Sequence, residues 1–372
     1  MDATYSSAVA YRKRCPPNTP SQEENMKPSK PGLSRREFIE RGVVRAGLYA
    51  AGAASFAHSL NGAQPASGSS GQNAFAYDVE RLAHTDPKLV KYEQAGVVTG
   101  INPEPRRIAV GPGDILYLAT RDGIEIRERE GGKLQGIPLS SPARCVAIAE
   151  DGIVYAGSRK QIEVFNSKGQ ALATWNAPSP KTWFTGLSVG ANDVLAADSA
   201  NRVVYRYDRS GKLLGRIGDK SKERNIPGLI VPSPYLDVKL GRDNLVRVNN
   251  PGRHRVDVFT LEGDLEFSWG KPSGAIEGFC GCCNPVGLAL LSEGRCVTCE
   301  KGIPRVKVYA ADHSLDAVVA GPELLKENSR AGQLSDQSDG TLGGVDAAVD
   351  SQGRIYVLDL VSREVRVMHR KA

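Results

Sequence analysis

The 372-residue sequence predicts an all-β fold, a six-bladed β-propeller in which an N-terminal strand closes the last blade. Three observations carry this. With 40 glycines, 22 prolines and few strongly helical windows beyond residue 75, the composition suits short strands joined by many turns. A strand–turn–strand unit recurs six times, with apolar strands beginning near Ile108, Val146, Leu187, Val238, Leu288 and Ala347, at spacings of 38, 41, 51, 50 and 59 residues. Repeats of this period, each holding about four strands, are the signature of a propeller.

Each apolar strand is followed by a tight turn and a second strand. The pairs are Gly113-Asp114 then ILYLAT, Asp151-Gly152 then IVYAGS, Asn192-Asp193 then VLAADS, Asp243-Asn244 then LVRVNN, Glu293-Gly294 then RCVTCE, and Gln352-Gly353 then RIYVLD. Third strands follow as IEIRER, IEVFNS, VVYRYD, VDVFTL, VKVYAA and VRVMHR, and most lead through SGK- or EGD-type turns to a fourth. The last unit stops after its third strand, Val365 to Arg370. The strand-like LVKYEQAGVV, Leu89 to Val98, is placed to supply the missing fourth and remove an exposed edge.

The third unit, AADSANRVVYRYDRSGKLLGRIG from Ala196 to Gly218, resembles the NHL repeat, with weaker echoes in LDLVSREVRVM and GRHRVDVFTLEGDL. The resemblance covers roughly residues 100 to 370 and implies six blades. EGFCGCCNP followed by EKGIPRVKVY is similar to an exported bacterial subgroup of NHL proteins carrying a CGCCNP motif.

Ahead of the repeats, residues 1–65 read as a signal region, 66–87 as a linker opened by a Pro/Ser/Gly-rich stretch, and 88–372 as the propeller. Ser34-Arg35-Arg36-Glu37-Phe38-Ile39, followed by an Ala/Gly-rich run from Gly42 to Leu60, resembles a twin-arginine (Tat) export signal with cleavage near Ala57, and Met26 is the expected start of translation. This implies passage through the Tat machinery to the periplasm after folding. No other stretch is apolar enough to span a membrane once the signal is removed.

Residues 1–57 hold nine Lys+Arg against five Asp+Glu, which leaves the body nearly neutral, 39 against 37. That balance argues against nucleic acid as a partner, although a strongly basic face would revive RNA binding.

Five of the seven cysteines lie between Cys280 and Cys299. In a propeller, the connections between blades and the turns after each second strand share one face, here called the top. Cys280, Cys282 and Cys283 precede the fifth innermost strand and Cys299 ends the second, so these four are the candidate metal set. Thiolates suit zinc, copper as Cu(I), or an iron–sulfur cluster. Disulfides formed after export and buried thiols are the alternatives. Cys296, about 10 Å away along the strand at roughly 3.3 Å per residue, is expected to be a packing residue, as is Cys145. Glu300 after Cys299 removes the histidine that covalent haem attachment needs.

Further binding candidates share the top face. Arginines recur after the second strand, at Arg121, Arg159, Arg202, Arg255, Arg305 and Arg363. Arg121 and Arg159 stand in the most degenerate units and are the candidate anion ligands, the others being expected to pack between blades. Asp237 and Asp346 precede innermost strands, where paired carboxylates can hold a cation. Trp183, Tyr235 and Phe279 occupy comparable positions as an aromatic rim, and His254 lies near them. Because the longest connections (218–234, 269–285 and 322–343) all fall on this face, the expectation is a binding or assembly module for a protein or small molecule. A redox or metal-dependent enzyme of the lyase or lactonase kind found on similar propellers is the alternative.

Overall fold

The structure is a computed structural model and describes residues 79–281, 283–325 and 344–372. Six antiparallel four-stranded sheets are arranged as blades. Blades 1 to 6 have innermost strands Arg107–Gly111, Cys145–Ile148, Phe184–Val189, Val238–Leu240, Gly287–Leu290 and Val345–Val349. These are the strands expected from the repeat.

Position within a blade decides what each strand requires. The second strand of blade 3, DVLAAD, is buried along its whole length because both its faces meet neighbouring blades, so it reads as a nearly continuous apolar run. The outermost strand of blade 2, ALATWN, buries only Trp175. One hydrophobic cluster fills each junction between neighbouring blades, such as Val256, Trp269, Phe279, Leu288 and Tyr309 between blades 4 and 5. In all six blades the pairing of the third and outermost strands carries a register shift, which adds twist as the blade widens outward.

The last blade is closed from the other end of the domain. Tyr92–Val98 pairs antiparallel with Glu364–Arg370, from Tyr92↔Arg370 to Val98↔Val365, and Tyr92 and Val98 turn into the core. The segment before it docks on blade 5. A one-turn helix, Val79–Leu82, presents the Leu82 carbonyl to Arg305, Thr85 N donates to Glu323 Oε1 at 2.7 Å, and Val90 bridges Val318 in parallel. The described part of the expected linker, from residue 79 to residue 87, therefore lies on the propeller. The expected signal residues Arg35 and Arg36 lie outside the described residues, as does most of the 322–343 connection. Among the described residues no helix is long and apolar enough to cross a membrane.

Candidate functional site

All six innermost strands begin at the top face, so the residues at their starts converge on the propeller axis. Arg107 opens the strand of blade 1 and crosses that axis. Its Nη1 donates to Asp346 Oδ1 of blade 6 at 2.8 Å and lies 3.6 Å from Asp237 Oδ2 of blade 4. Its Nε donates to the Thr185 carbonyl of blade 3 at 2.8 Å, and Nη2 to the Val286 carbonyl ahead of blade 5 at 3.2 Å. Lys239 Nζ completes the group, 3.0 Å from Asp237 Oδ1.

Each carboxylate also latches the next blade, Asp346 accepting from Ile108 N and Asp237 from Leu288 N, both at 2.9 Å. Room for these charges comes from missing side chains. A Cβ at Gly287 would meet Asp346 Oδ1 at 2.8 Å and Arg107 Nη1 at 3.0 Å, and one at Gly186 would meet Asp237 Oδ1 at 2.6 Å. Burial opposes charge on both acids. For Asp237 the attraction of Arg107 and Lys239 wins and its pKa is lowered, whereas Asp346, repelled by Asp237, has its pKa raised. Burial also works against the Arg107 cation, but the two carboxylates reverse this and raise its pKa.

This corrects one expectation. Asp237 and Asp346 do face the channel as a carboxylate pair, but the cations they hold are the chain's own Arg107 and Lys239.

Above this layer, Arg106, Arg144, Pro234, Tyr235, Val345 and Leu360 surround a depression of about 370 Å³, counting the part open to solvent, with Arg107 and Asp346 at its base. Half-buried Trp183 stands beside it. The Arg159 guanidinium lies 3.8 Å from a ring centroid of Trp183 and that of Arg144 5.1 Å, so two cations share one indole. Such contacts are worth about 0.5–2 kcal/mol each. Lys301 Nζ sits 4.4 Å from the Tyr235 ring and donates to Ser233 Oγ at 3.2 Å.

Of the sequence-derived candidates, Trp183, Arg159 and Tyr235 therefore gather at the mouth. Arg121 lies outside the depression and half exposed, paired with Asp122 at 3.6 Å and at 3.4 Å with Glu104, which also holds Arg106 at 3.1 Å. Phe279 leaves the rim altogether. It is 1% exposed and packs among Trp269 and Tyr309, with Lys307 Nζ 4.8 Å from its ring. Arg106, Arg107, Arg144 and Lys239 were missed, although EPRR and SPAR put an arginine immediately before the apolar run in two successive units.

The cysteine loop is a separate, braced structure. Lys307 Nζ lies 2.7 Å from Glu300 Oε1, with both side chains fully buried, and donates to the Ile276 and Gly278 carbonyls at 2.9 and 2.7 Å. Burial drives Glu300 toward its neutral form, raising its pKa, and lowers that of Lys307. Tyr309 OH donates to the Glu277 carbonyl at 3.0 Å. Asn284 donates to the Cys280 and Lys301 carbonyls and accepts from Lys301 N, and the peptide before Pro285 is cis. His254 reaches the Gly281 carbonyl.

Cys299 and Cys296, three residues apart on one strand, face opposite junctions, Cys299 between blades 5 and 6 and Cys296 between blades 4 and 5. Burial pushes the Cys296 and Cys145 thiols up to about 12 and Cys299 well above its ordinary value. Both Cys296 and Cys145 are packing residues, as expected. Among the described residues no three His, Cys, Asp or Glu side chains assemble as a metal-ligating set. Cys280 and Cys283 belong to the braced loop, and Cys282 lies outside the described residues.

Neither the known family models nor the curated proteins include a match to this chain. Solved structures do match it, over three quarters of its length. A streptogramin B lyase aligns with TM-score 0.52 at 12% identity, covering 75% of this chain and 97% of the lyase. Virginiamycin B lyase from Staphylococcus aureus aligns with TM-score 0.50 at 16% identity, covering 75% of this chain and 98% of that one. The WD40 domain of Neurospora crassa Pan2 aligns with TM-score 0.50 at 14% identity, covering 75% and 95%. At these identities the likeness is one of fold, shared by lyases and WD40 domains alike, and it assigns the chain to the β-propellers.

Proposed function

We propose that this chain is an exported binding module, of the NHL-like kind with a CGCCNP loop, whose top face engages a protein or small-molecule partner at the mouth of the plugged channel. The observation that carries this reading is Trp183 lying against both Arg159 and Arg144, beside the depression walled by Arg106, Arg144 and Tyr235. An amphipathic aromatic flanked by arginines is the composition enriched at interface hot spots. Some of the groups an enzymatic reading would draw on are already engaged. At the axis each carboxylate is held by Arg107 or Lys239, and burial keeps the Cys145 and Cys299 thiols protonated.

The test is photo-crosslinking in the exporting cell from probes at position 159 or 183, against a probe at position 262 on the opposite face. Adducts are expected from the top face alone and are lost with Arg144→Gln. Adducts that arise equally from position 262 overturn the reading. Export by the Tat route is tested separately, since replacing Arg35 and Arg36 by Lys keeps the charge but removes the guanidinium pair. The double variant is expected to stay in the cytoplasm. A metal or disulfides among Cys280, Cys282, Cys283 and Cys299 are distinguished by elemental analysis and non-reducing mass measurement of the exported protein.

A further inference from the structure

We propose that the seat of the N-terminal segment on blade 5 is a peptide-binding site, covered in this state by the chain's own Leu82 to Thr85 and suited to a partner chain that ends in a free carboxylate after an apolar residue. The site lies outside the depression at the channel mouth and does not rest on the reading of that mouth.

The first argument is an unmet charge. Arg305 opens the third strand of blade 5 and is 2% exposed. Its Nη2 donates to the Leu82 carbonyl, but Nε and Nη1 are buried without a hydrogen-bond partner, and among the described residues no carboxylate lies within ion-pair distance of it. The acid whose titration it influences, Glu300, is paired with Lys307 instead, so one carboxyl serves two buried cations. A buried guanidinium held by a single neutral carbonyl is costly. A carboxylate, which accepts two parallel N–H bonds from the same fork, is the better partner.

The second argument is the shape of the seat. Glycines make room for the covering segment: a Cβ at Gly274 in the cysteine loop would meet Leu82 Cδ1 and Cδ2 at 3.2 Å, and one at Gly321 would run into Thr85 Oγ1. Leu82 thus sets its side chain on one wall and its carbonyl on Arg305. That is also the order of groups at the end of a chain, an apolar side chain and then a carboxyl. A chain ending at this point would keep the apolar contact and bring two oxygens where the segment now offers one, and the room it needs is the room that segment fills.

The third argument is a weak hold. From Arg81 to Lys91 only Thr85 is buried. Besides the Leu82 carbonyl, the polar ties to blade 5 are Thr85 N to Glu323 Oε1 at 2.7 Å, His84 Nδ1 at 3.4 Å from the same oxygen, and Lys91 Nζ at 3.2 Å from Asp316. Contacts this sparse belong to the low-stability end of a fold, which opens while the closing strand Tyr92–Val98 stays paired.

The experiment is fluorescence anisotropy on the exported protein with the labelled peptide AYDVERL, the sequence of residues 76–82, as free acid and as C-terminal amide, and with 4-methylpentanoate as competitor. The free acid is expected to bind saturably and at least about tenfold more tightly than the amide. Thr85→Pro, which removes the N–H given to Glu323, should tighten binding of the free acid by about fivefold or more, because the cover opens more often. Hydrogen exchange over residues 79–91 should quicken when the free acid binds. Arg305→Met should abolish the preference for acid over amide and melt no lower than the parent protein, since it removes a buried charge that has no ion-pair partner. Equal affinity for acid and amide, a retained preference in Arg305→Met, a marked fall in its melting temperature, or binding that leaves exchange over 79–91 unchanged would each overturn the proposal. So would displacement by 4-methylpentanoate at lower concentration than by unlabelled peptide, because the site would then read a small acid and not a chain end.

Discussion

Two groups of buried charges, one on the axis and one inside blade 5, do different work. On the axis, Arg107 pairs with Asp346, 239 residues away, and each carboxylate takes a backbone N–H from the next blade. In blade 5, Glu300 pairs with Lys307 on the neighbouring strand, and the ammonium spends its remaining hydrogen bonds on carbonyls of the cysteine loop. The chemistry is the same in both places. What differs is the sequence distance spanned, so the first group holds the ring in register and the second holds one loop.

The largest effect should come from Arg107→Met, which strands two carboxylates that are both buried. Breaking a buried pair from one side costs about 3–5 kcal/mol, so urea unfolding should show a loss at or above that range, partly recovered by Arg107→Met with Asp346→Asn. A loss under about 1 kcal/mol would dissolve the contrast between the two groups.

Lys307→Met should cost somewhat less, about 3 kcal/mol at pH 7, because Glu300 can escape by taking a proton. Burial raises the folded pKa of Glu300 above 4.5, so the folded state binds this proton more readily than the unfolded chain. The charge part of the penalty is therefore absent below about pH 4.5 and grows as pH rises through the folded pKa, while the lost bonds to the Ile276 and Gly278 carbonyls cost the same at every pH. Unfolding at pH 4 and pH 7 checks the sign. Locality gives a second readout, since alkylation of half-buried Cys280 in the native protein should quicken in Lys307→Met and not in Arg107→Met.

The smallest effect is expected at a partly exposed reference pair. Asp316 in blade 5 accepts from Arg370 at 2.6 Å and lies 3.2 Å from Lys91, so it ties the closing blade to its neighbour. The Arg370 hydrogen bond, ahead of the Lys91 contact, lowers its pKa to about 2. Its contribution is present above the ordinary value of 3.8 and lost as pH falls through about 2. Asp316→Asn should cost up to about 1 kcal/mol at neutral pH, less in high salt, and the two proteins should melt together near pH 2.

The same contrast explains what could be read in the chain beforehand. Blades were legible because each unit repeats an apolar innermost strand and a turn, and the closing strand because the strand-like LVKYEQAGVV precedes the first full unit while the last unit is one strand short. Asp237 and Asp346 were legible because each stands immediately ahead of an apolar run. Arg107 occupies the same kind of position but was not, since its partners are fixed by ring geometry and lie in other blades. Phe279 was misplaced for a related reason. Its position suits a rim, but Trp269 and Tyr309 from two blades enclose it, and nothing local records that. Trp183 and Arg159 were each singled out, yet their contact depends on how blades 2 and 3 meet.

The seam in blade 6 bears on how the molecule is made. Because Tyr92–Val98 pairs with Glu364–Arg370, this strand, the first among the described residues to leave the ribosome, waits for its partner until almost all of the remaining chain has been synthesised. Joining the two ends of the domain with a short linker and opening it between blades 2 and 3 would move that wait elsewhere. Such a circular permutant should reach the same ring, with its kinetically last step transferred to whichever blade carries the new cut.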